Sequence, residues 1–239
     1  MVYYHQKRGK NMDIKLFYKE RGCGEALILL HGNNGDCDYF TSQIEYFSKS
    51  FHVIAPDTRG HGRTPRGDKT FALRTFADDL CCFMNELNIE KAHILGFSDG
   101  ANIAMLFALK YPHKVRSLVL NGGNLNGDGV EDELQASICK EYKELLNMPF
   151  KNPEQKRTEE MLSIMINDPN ISEKELSNIK APTLVIAGTY DLIKTEHTKL
   201  IHRCIPSSKL VFIEGGHLIA AERSDEFNRA VDDFYKHLM

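Results

Sequence analysis

Short apolar runs alternate along the chain with longer stretches of helical period. The runs Ile14–Lys19, Ala26–Leu30, His52–Ala55, His93–Gly96, Ser117–Asn121, Thr183–Ala187 and Leu210–Ile213 read as strands. Between them lie amphipathic stripes. Phe76, Leu80, Phe83 and Leu87 recur at steps of three and four, and Phe227, Val231, Phe234 and Leu238 do the same near the C-terminus. The stretch from Ser98 to Tyr111 is apolar almost all round, which predicts a central, buried helix. Strands alternating with helices predict an α/β domain, a mostly parallel sheet flanked by helices.

One segment breaks the alternation. From Asn124 to Lys180 no good strand is evident. A stripe of Leu134, Ile138, Tyr142 and Leu145 is followed by Pro149 and Pro153, then by Met161, Ile164 and Met165. Two or three helices fit. The chain therefore divides into a core, residues 1–123 and 181–239, and a helical insertion, 124–180. Ligands in open α/β sheets bind at the carboxyl ends of the strands. The insertion leaves and returns there, so it is expected to form a lid lined with Met and Leu. The alternative is a packing subdomain that makes no contact with ligand.

A length of 239 residues suits one domain with such an insertion and allows a core that buries roughly 70–75% of the unfolded chain's surface. Hydrophobic residues at 42% and charged residues at 26% argue against disorder. The net charge of −3 offers no basic surface for nucleic acid or anionic membrane. No apolar run approaches the roughly 20 residues of a membrane span. The opening MVYYHQKRGK turns charged too early for a secretory leader. Six cysteines show no paired spacing, and Cys81 and Cys82 are adjacent, so reduced thiols in a cytoplasmic protein are expected. His197 and His202 are the nearest approach to metal spacing, and no metal or other cofactor is expected. The implied partner is a small-molecule substrate; the oligomeric state is left open.

The chemistry concentrates at Gly96-Phe97-Ser98-Asp99-Gly100. A strand leads into it and the buried helix leads out, the setting a nucleophile elbow requires. Crowding at so sharp a turn excludes side chains two residues either side of the serine. A serine hydroxyl needs a base. His217 follows a strand and two glycines, Gly215 and Gly216. The base needs an orienting acid, and Asp191 in Gly188-Thr189-Tyr190-Asp191 follows another strand; Asp128 is a weaker rival. Each link of Ser98, His217 and Asp191 is expected at ordinary hydrogen-bond length. An oxyanion needs two donors. The backbone N–H of Asp99 is one. The other is expected from His31-Gly32-Asn33-Asn34-Gly35, with Asn33 N–H first and Asn34 second; His31 is expected to brace that loop. Asn34 and Asp99 are further expected to touch substrate.

With the chain order Ser98, Asp191, His217, the sequence resembles the α/β-hydrolase superfamily of small, lidded serine esterases, over about residues 13–123 and 181–239. The resemblance rests on His31-Gly32, Asp57-Thr58-Arg59-Gly60-His61-Gly62, the elbow, Gly188 to Asp191, and Gly216-His217. It implies the α/β-hydrolase fold and a scaffold role for Asp57, Arg59 and His61. Thr64 stands where the family often has Ser. Ser-Asp-Gly at the elbow is similar to the biphenyl-hydrolase-like group, whereas haloalkane dehalogenases and epoxide hydrolases place Asp at the nucleophile position. The function implied is hydrolysis of a small carboxylic ester through an acyl-enzyme. Thioester, lactone or carbon–carbon hydrolysis and perhydrolysis fit the same triad, and a non-catalytic binding protein on this fold is the alternative of another class.

Overall fold

The structure is a computed structural model that describes residues 13–238. The N-terminal run weighed above as a leader lies outside the described residues. Seven strands form one sheet: β1 Tyr18–Arg21, β2 Ala26–Leu30, β3 His52–Pro56, β4 Ala92–Phe97, β5 Val115–Asn121, β6 Thr183–Gly188 and β7 Ser208–Ile213. Their order is β1-β3-β2-β4-β5-β6-β7; β1 pairs antiparallel with β3, and every other neighbour is parallel.

The helices are α1 Thr41–Phe47, α2 Leu73–Glu86, α3 Asp99–Lys110, α4 Asp132–Leu146, α5 Pro153–Asn167, α6 Glu173–Leu176, α7 Thr195–Cys204, α8 Ile219–Glu222 and α9 Ser224–Lys236. Side chains alternate between sheet faces, so one strand feeds two cores. Ile28, Leu30 and Ile94 join α2, α3 and α7 on one face; Leu27, Leu29 and Leu95 join α1 and α9 on the other. The stripes Phe76, Leu80, Phe83 and Phe227, Val231, Phe234 point into these cores as their spacing predicts; Leu87 is only half-buried, and Leu238, at the end of the second stripe, is exposed.

Six strands lie within two residues of the expected runs. The first does not. Ile14 and Leu16 are buried, but the ladder starts only at Tyr18, paired with Pro56. β3 ends at Pro56, and upstream of Tyr18 the chain bonds to the turn beyond it: Asp57 N–H donates to Phe17 O at 2.8 Å, and Phe17 N–H donates to Thr64 Oγ1 at 2.8 Å.

Between β5 and β6 the chain forms α4, α5 and α6. Asn152 caps α5 in a reciprocal box with Gln155, with Pro153 in the first turn, and Ser172 does the same for α6 with Glu175. Ile138 and Leu145 of α4 pack on Leu162 of α5 in a small core of their own. The direction of winding reverses between β2 and β4, and the loops that follow these two strands meet at that crevice.

All six cysteines are free thiols. Among the described residues, no helix is long and apolar enough to cross a membrane.

Candidate active site

Ser98 sits between β4 and α3 with φ 54° and ψ −121°, a left-handed conformation that costs a non-glycine residue energy. The flanking glycines explain how it is reached. A Cβ on Gly96 would run into the Gly100 carbonyl, and one on Gly100 would run into the carbonyl of Leu30. Ser98 N–H donates to Asn121 O of β5 at 2.8 Å, which pins the turn to the sheet. A Cβ on Gly32 would stand 3.0 Å from that of Ser98, so the loop after β2 presses against the elbow.

His217 follows β7, and Asp191 follows β6. His217 Nδ1–H donates to Asp191 Oδ1 at 2.6 Å. Asp191 is buried, and its carboxylate also accepts from Ile193 N–H at 3.0 Å and Gly188 N–H at 3.4 Å. This arrangement leaves Nε2 of the imidazole as the free base. The ring packs against Phe97, with centroids 4.8 Å apart. Gly122 makes the space: a Cβ there would fall 2.8 Å from His217 Cε1. The expected Ser98–His217 hydrogen bond is not formed among the described residues. Both side chains line one cavity, and catalytic links of this kind often tighten only when substrate binds.

No described residue accepts a hydrogen bond from the backbone N–H of Asn33 or of Asp99. Asp99 opens α3, where the helix dipole favours negative charge. The Asn33 side chain donates to Met161 O of α5 at 3.1 Å. Asn34 departs from expectation. Its φ of 55° turns the side chain outward, where Oδ1 accepts from Arg157 at 3.4 Å, and it is absent from the cavity wall. Asp128 is exposed on a turn and makes no hydrogen bond to His217, whose Nδ1 is taken by Asp191.

The cavity has a volume of about 60 Å³. Ser98, Asp99, Asn33 and His217 form its floor, and Val130, Leu134, Ile138, Met165 and Asp168, all from 124–180, contribute to its wall. Asp99 is 8% exposed; its Oδ1 accepts from Asn102 at 3.2 Å and its Oδ2 is buried with no partner. Burial raises its pKa to about 6. The Asn102 amide pulls the other way, Asp168 adds to the rise, and Asn33 and His217 oppose it. Asp168 is itself raised by burial, against the Leu73 N–H that it accepts at 3.1 Å. Sequence reasoning missed Gly122 and Asp168; neither stands in a local pattern that marks it.

The scaffold residues are accounted for. His31 donates to Gly32 O at 2.8 Å and accepts from Thr58 N–H at 3.0 Å, burial lowers its pKa, and it braces the loop. Asp57 accepts from Cys37 and Arg63 N–H, each at 2.8 Å. Thr64 Oγ1 donates to Asp57 O at 2.8 Å, so threonine does here what serine would. His197 accepts from Leu125 N–H and His202 bonds Ser208, each occupied in packing.

A family model of the alpha/beta hydrolase fold matches residues 25–137. The sequence is 28% identical to the serine hydrolase BPHL of Homo sapiens over 92% of this chain and 83% of that one. It is 26% identical to a 2-hydroxy-6-oxononadienedioate/2-hydroxy-6-oxononatrienedioate hydrolase of Pseudomonas putida, over 96% and 94%. Among solved structures, a meta-cleavage product hydrolase from Pseudomonas fluorescens superposes with a TM-score of 0.76 at 25% identity, covering 95% of this chain and 96% of that one. Est816, described as an N-acyl homoserine lactone degrading enzyme, gives 0.79 at 25% identity, covering 94% and 98%.

Proposed function

This chain belongs to the α/β-hydrolase superfamily and is a hydrolase of that family, and from that premise we propose that it is a serine hydrolase of small carboxylic esters that carry an amine on the acyl side. Ser98 attacks the carbonyl as Nε2 of His217 takes its proton. Asp191 holds the imidazole and stabilises the imidazolium. The oxyanion collects between the N–H groups of Asn33 and Asp99. His217 returns the proton to the leaving alkoxide, and water then releases the acyl group by the same steps in reverse roles. The segment 124–180 acts as the lid.

The observation that carries this reading is the cavity that joins the strained Ser98, the Asp191-bound His217 and two unengaged backbone donors. Asp99 narrows the substrate. Its Oδ2 is buried without a donor, so a protonated amine beside the reacting carbonyl would complete it. The Pseudomonas putida relative acts, by its name, on dioates. Such an anion would meet two carboxylates in this cavity and, among the described residues, no Lys or Arg on its wall, which weighs against carbon–carbon cleavage of that substrate class. Lactones keep the same acyl chemistry and remain the second reading, supported by the likeness to Est816.

A fluorophosphonate probe tests the enzyme against a non-catalytic binding protein. Labelling of the wild type and none of Ser98→Ala is expected; an unlabelled wild type would overturn the proposal. A panel of p-nitrophenyl esters and lactones of graded acyl length then ranks substrates.

A further inference from the structure

A second cavity, of about 310 Å³, lies at the amino ends of the strands, the end of the sheet away from Ser98. Glu25, Phe51, Lys91 and Pro182 stand just before β2, β3, β4 and β6, and His93 and Arg116 are the second residues of β4 and β5. Tyr235, in the last turn of α9, and Leu238 beyond it complete the wall. The two cavities share no lining residue, and His93 lies roughly 16 Å from Ser98 along β4.

Its inner wall is aromatic. Tyr235 packs on Phe51 and on His93 with ring centroids 5.1 and 5.2 Å away. Tyr235 is 2% exposed, and its Oη is buried with no hydrogen-bond partner. Phenylalanine would fill that space without the cost of an unpaired hydroxyl. The rim is charged. Arg116 pairs with Glu25 at 3.1 Å, and Lys91 is exposed beside them with no acid of its own among the lining residues. His93 Nε2–H donates to Glu25 Oε2 at 3.1 Å, and its Nδ1 accepts from Ser117 Oγ at 2.7 Å, the pattern of a neutral imidazole; burial lowers its pKa in the same sense. Lys91 and Arg116 against Glu25 leave one positive charge in excess.

We propose that this cavity is a second, non-catalytic binding site for an aromatic monocarboxylate, with the carboxylate at Lys91 and Arg116 and the ring among Phe51, Tyr235, Pro182 and Leu238. The volume stands at the lower end of small-molecule sites and suits one ring with a short acidic arm. A single excess positive charge matches a monoanion, whereas a dianion would be left uncompensated beside Glu25. The ring adds aromatic contact to the Phe51–Tyr235 pair and covers Leu238, which is exposed in its absence. A hydroxyl on the ring is the partner that Tyr235 Oη lacks. The site is independent of the reaction at Ser98 and takes no part in it.

The test is titration calorimetry with 3-phenylpropanoate, 3-(4-hydroxyphenyl)propanoate and the amide of the latter, on the wild type, Lys91→Gln, Lys91→Glu and Tyr235→Phe. Lys91 is the cleaner cation to remove, because it is exposed and its loss orphans no acid, whereas loss of Arg116 would strip Glu25 of its partner. Both acids are expected to bind the wild type, the hydroxylated one about two- to ten-fold more tightly, and the amide at least about five-fold more weakly than its acid. Lys91→Gln is expected to weaken both acids by about five-fold or more, and Lys91→Glu further, with the amide unchanged. Tyr235→Phe keeps the ring packing and is expected to cancel the advantage of the hydroxyl while leaving 3-phenylpropanoate within about two-fold. No heat of binding at about 1 mM of either acid, or equal affinity for acid and amide, would overturn the inference. So would affinities that both Lys91 variants leave unchanged, since the probe would then sit elsewhere. A hydroxyl advantage that survives Tyr235→Phe would overturn the placement of the ring.

Discussion

The side-chain amide of Asn33 donates to the carbonyl of Met161 at 3.1 Å, a bond between residues 128 apart in the chain. It ties the loop after β2 to α5. Arg66, on the connection after β3, adds a two-pronged pair with Glu160 one residue earlier on that helix, its N–O distances running from 2.6 to 3.0 Å. The loop that would offer an oxyanion donor is therefore fastened to the insertion above it.

Asn33→Ala keeps the backbone N–H and removes this fastening, together with the amide that favours the Asp99 carboxylate. One net hydrogen bond is worth about 0.5–1.5 kcal/mol, roughly two- to ten-fold in rate. A fall in kcat of that size is expected, larger than the change in KM, in steady-state assays on a neutral ester. Wild-type kcat would show that the side chain does not position the loop.

Ser98→Ala and His217→Ala are each expected to lower kcat by about 10⁴-fold or more, and Asp191→Asn by a comparable factor through the wrong tautomer of His217. The measurement is ester turnover with unchanged circular dichroism. Near-normal turnover by any of the three would remove that residue from the mechanism. The Ser98–His217 link should appear at hydrogen-bond length in a structure with an acyl-phosphonate adduct at Ser98.

That Ser98, Asp191 and His217 stand out in the sequence and Asp168 does not has a physical cause. A sharp strand-to-helix turn demands glycines at 96 and 100 in every copy of that geometry, so the demand is written locally. Asp191 and His217 likewise stand at fixed offsets beyond β6 and β7. Asp168 lines the same cavity as Ser98 because α5 packs back against the loop after β2, which no local pattern encodes. Asn34 failed for a related reason. Sequence placed it on the right loop, but a left-handed backbone turned it toward Arg157. The first strand failed because the length of its partner, ended by Pro56, sets where the ladder begins.

Arg59 is fully buried and bonds Asp79 through Nε at 2.7 Å and Nη2 at 2.8 Å, and Asp13 through Nη1 at 2.8 Å and Nη2 at 2.7 Å. Arg59→Met would leave Asp79 buried and unpaired, so a loss of about 3–5 kcal/mol in urea unfolding is expected. The Arg59 hydrogen bonds hold Asp13 well below the usual carboxylate range. A depressed pKa contributes stability above the unfolded value of 3.8 that is lost as pH falls through the folded one. The penalty of Arg59→Met should therefore shrink on acidification. A penalty independent of pH would point to lost packing alone.

Asp99→Asn should stabilise the fold, in a way that depends on pH. Burial raises Asp99 from 3.8 to about 6. Between these values the folded chain keeps a proton that the unfolded chain has released, so stability falls as pH rises through the window. Above about pH 6 the full cost of a buried, half-satisfied carboxylate is present. Asparagine carries no such charge and can still accept from Asn102 through its carbonyl oxygen. A gain of about 1–3 kcal/mol at pH 7, fading toward nil below pH 4, is expected from urea unfolding at the two pH values. An equal gain at both would mean that the effect is not electrostatic, and a loss at pH 7 would mean that the carboxylate is solvated in the free protein. The same substitution is expected to abolish the preference for an amino ester. Stability gained where selectivity is lost is the relation expected of a charge kept in an unfavourable place for binding.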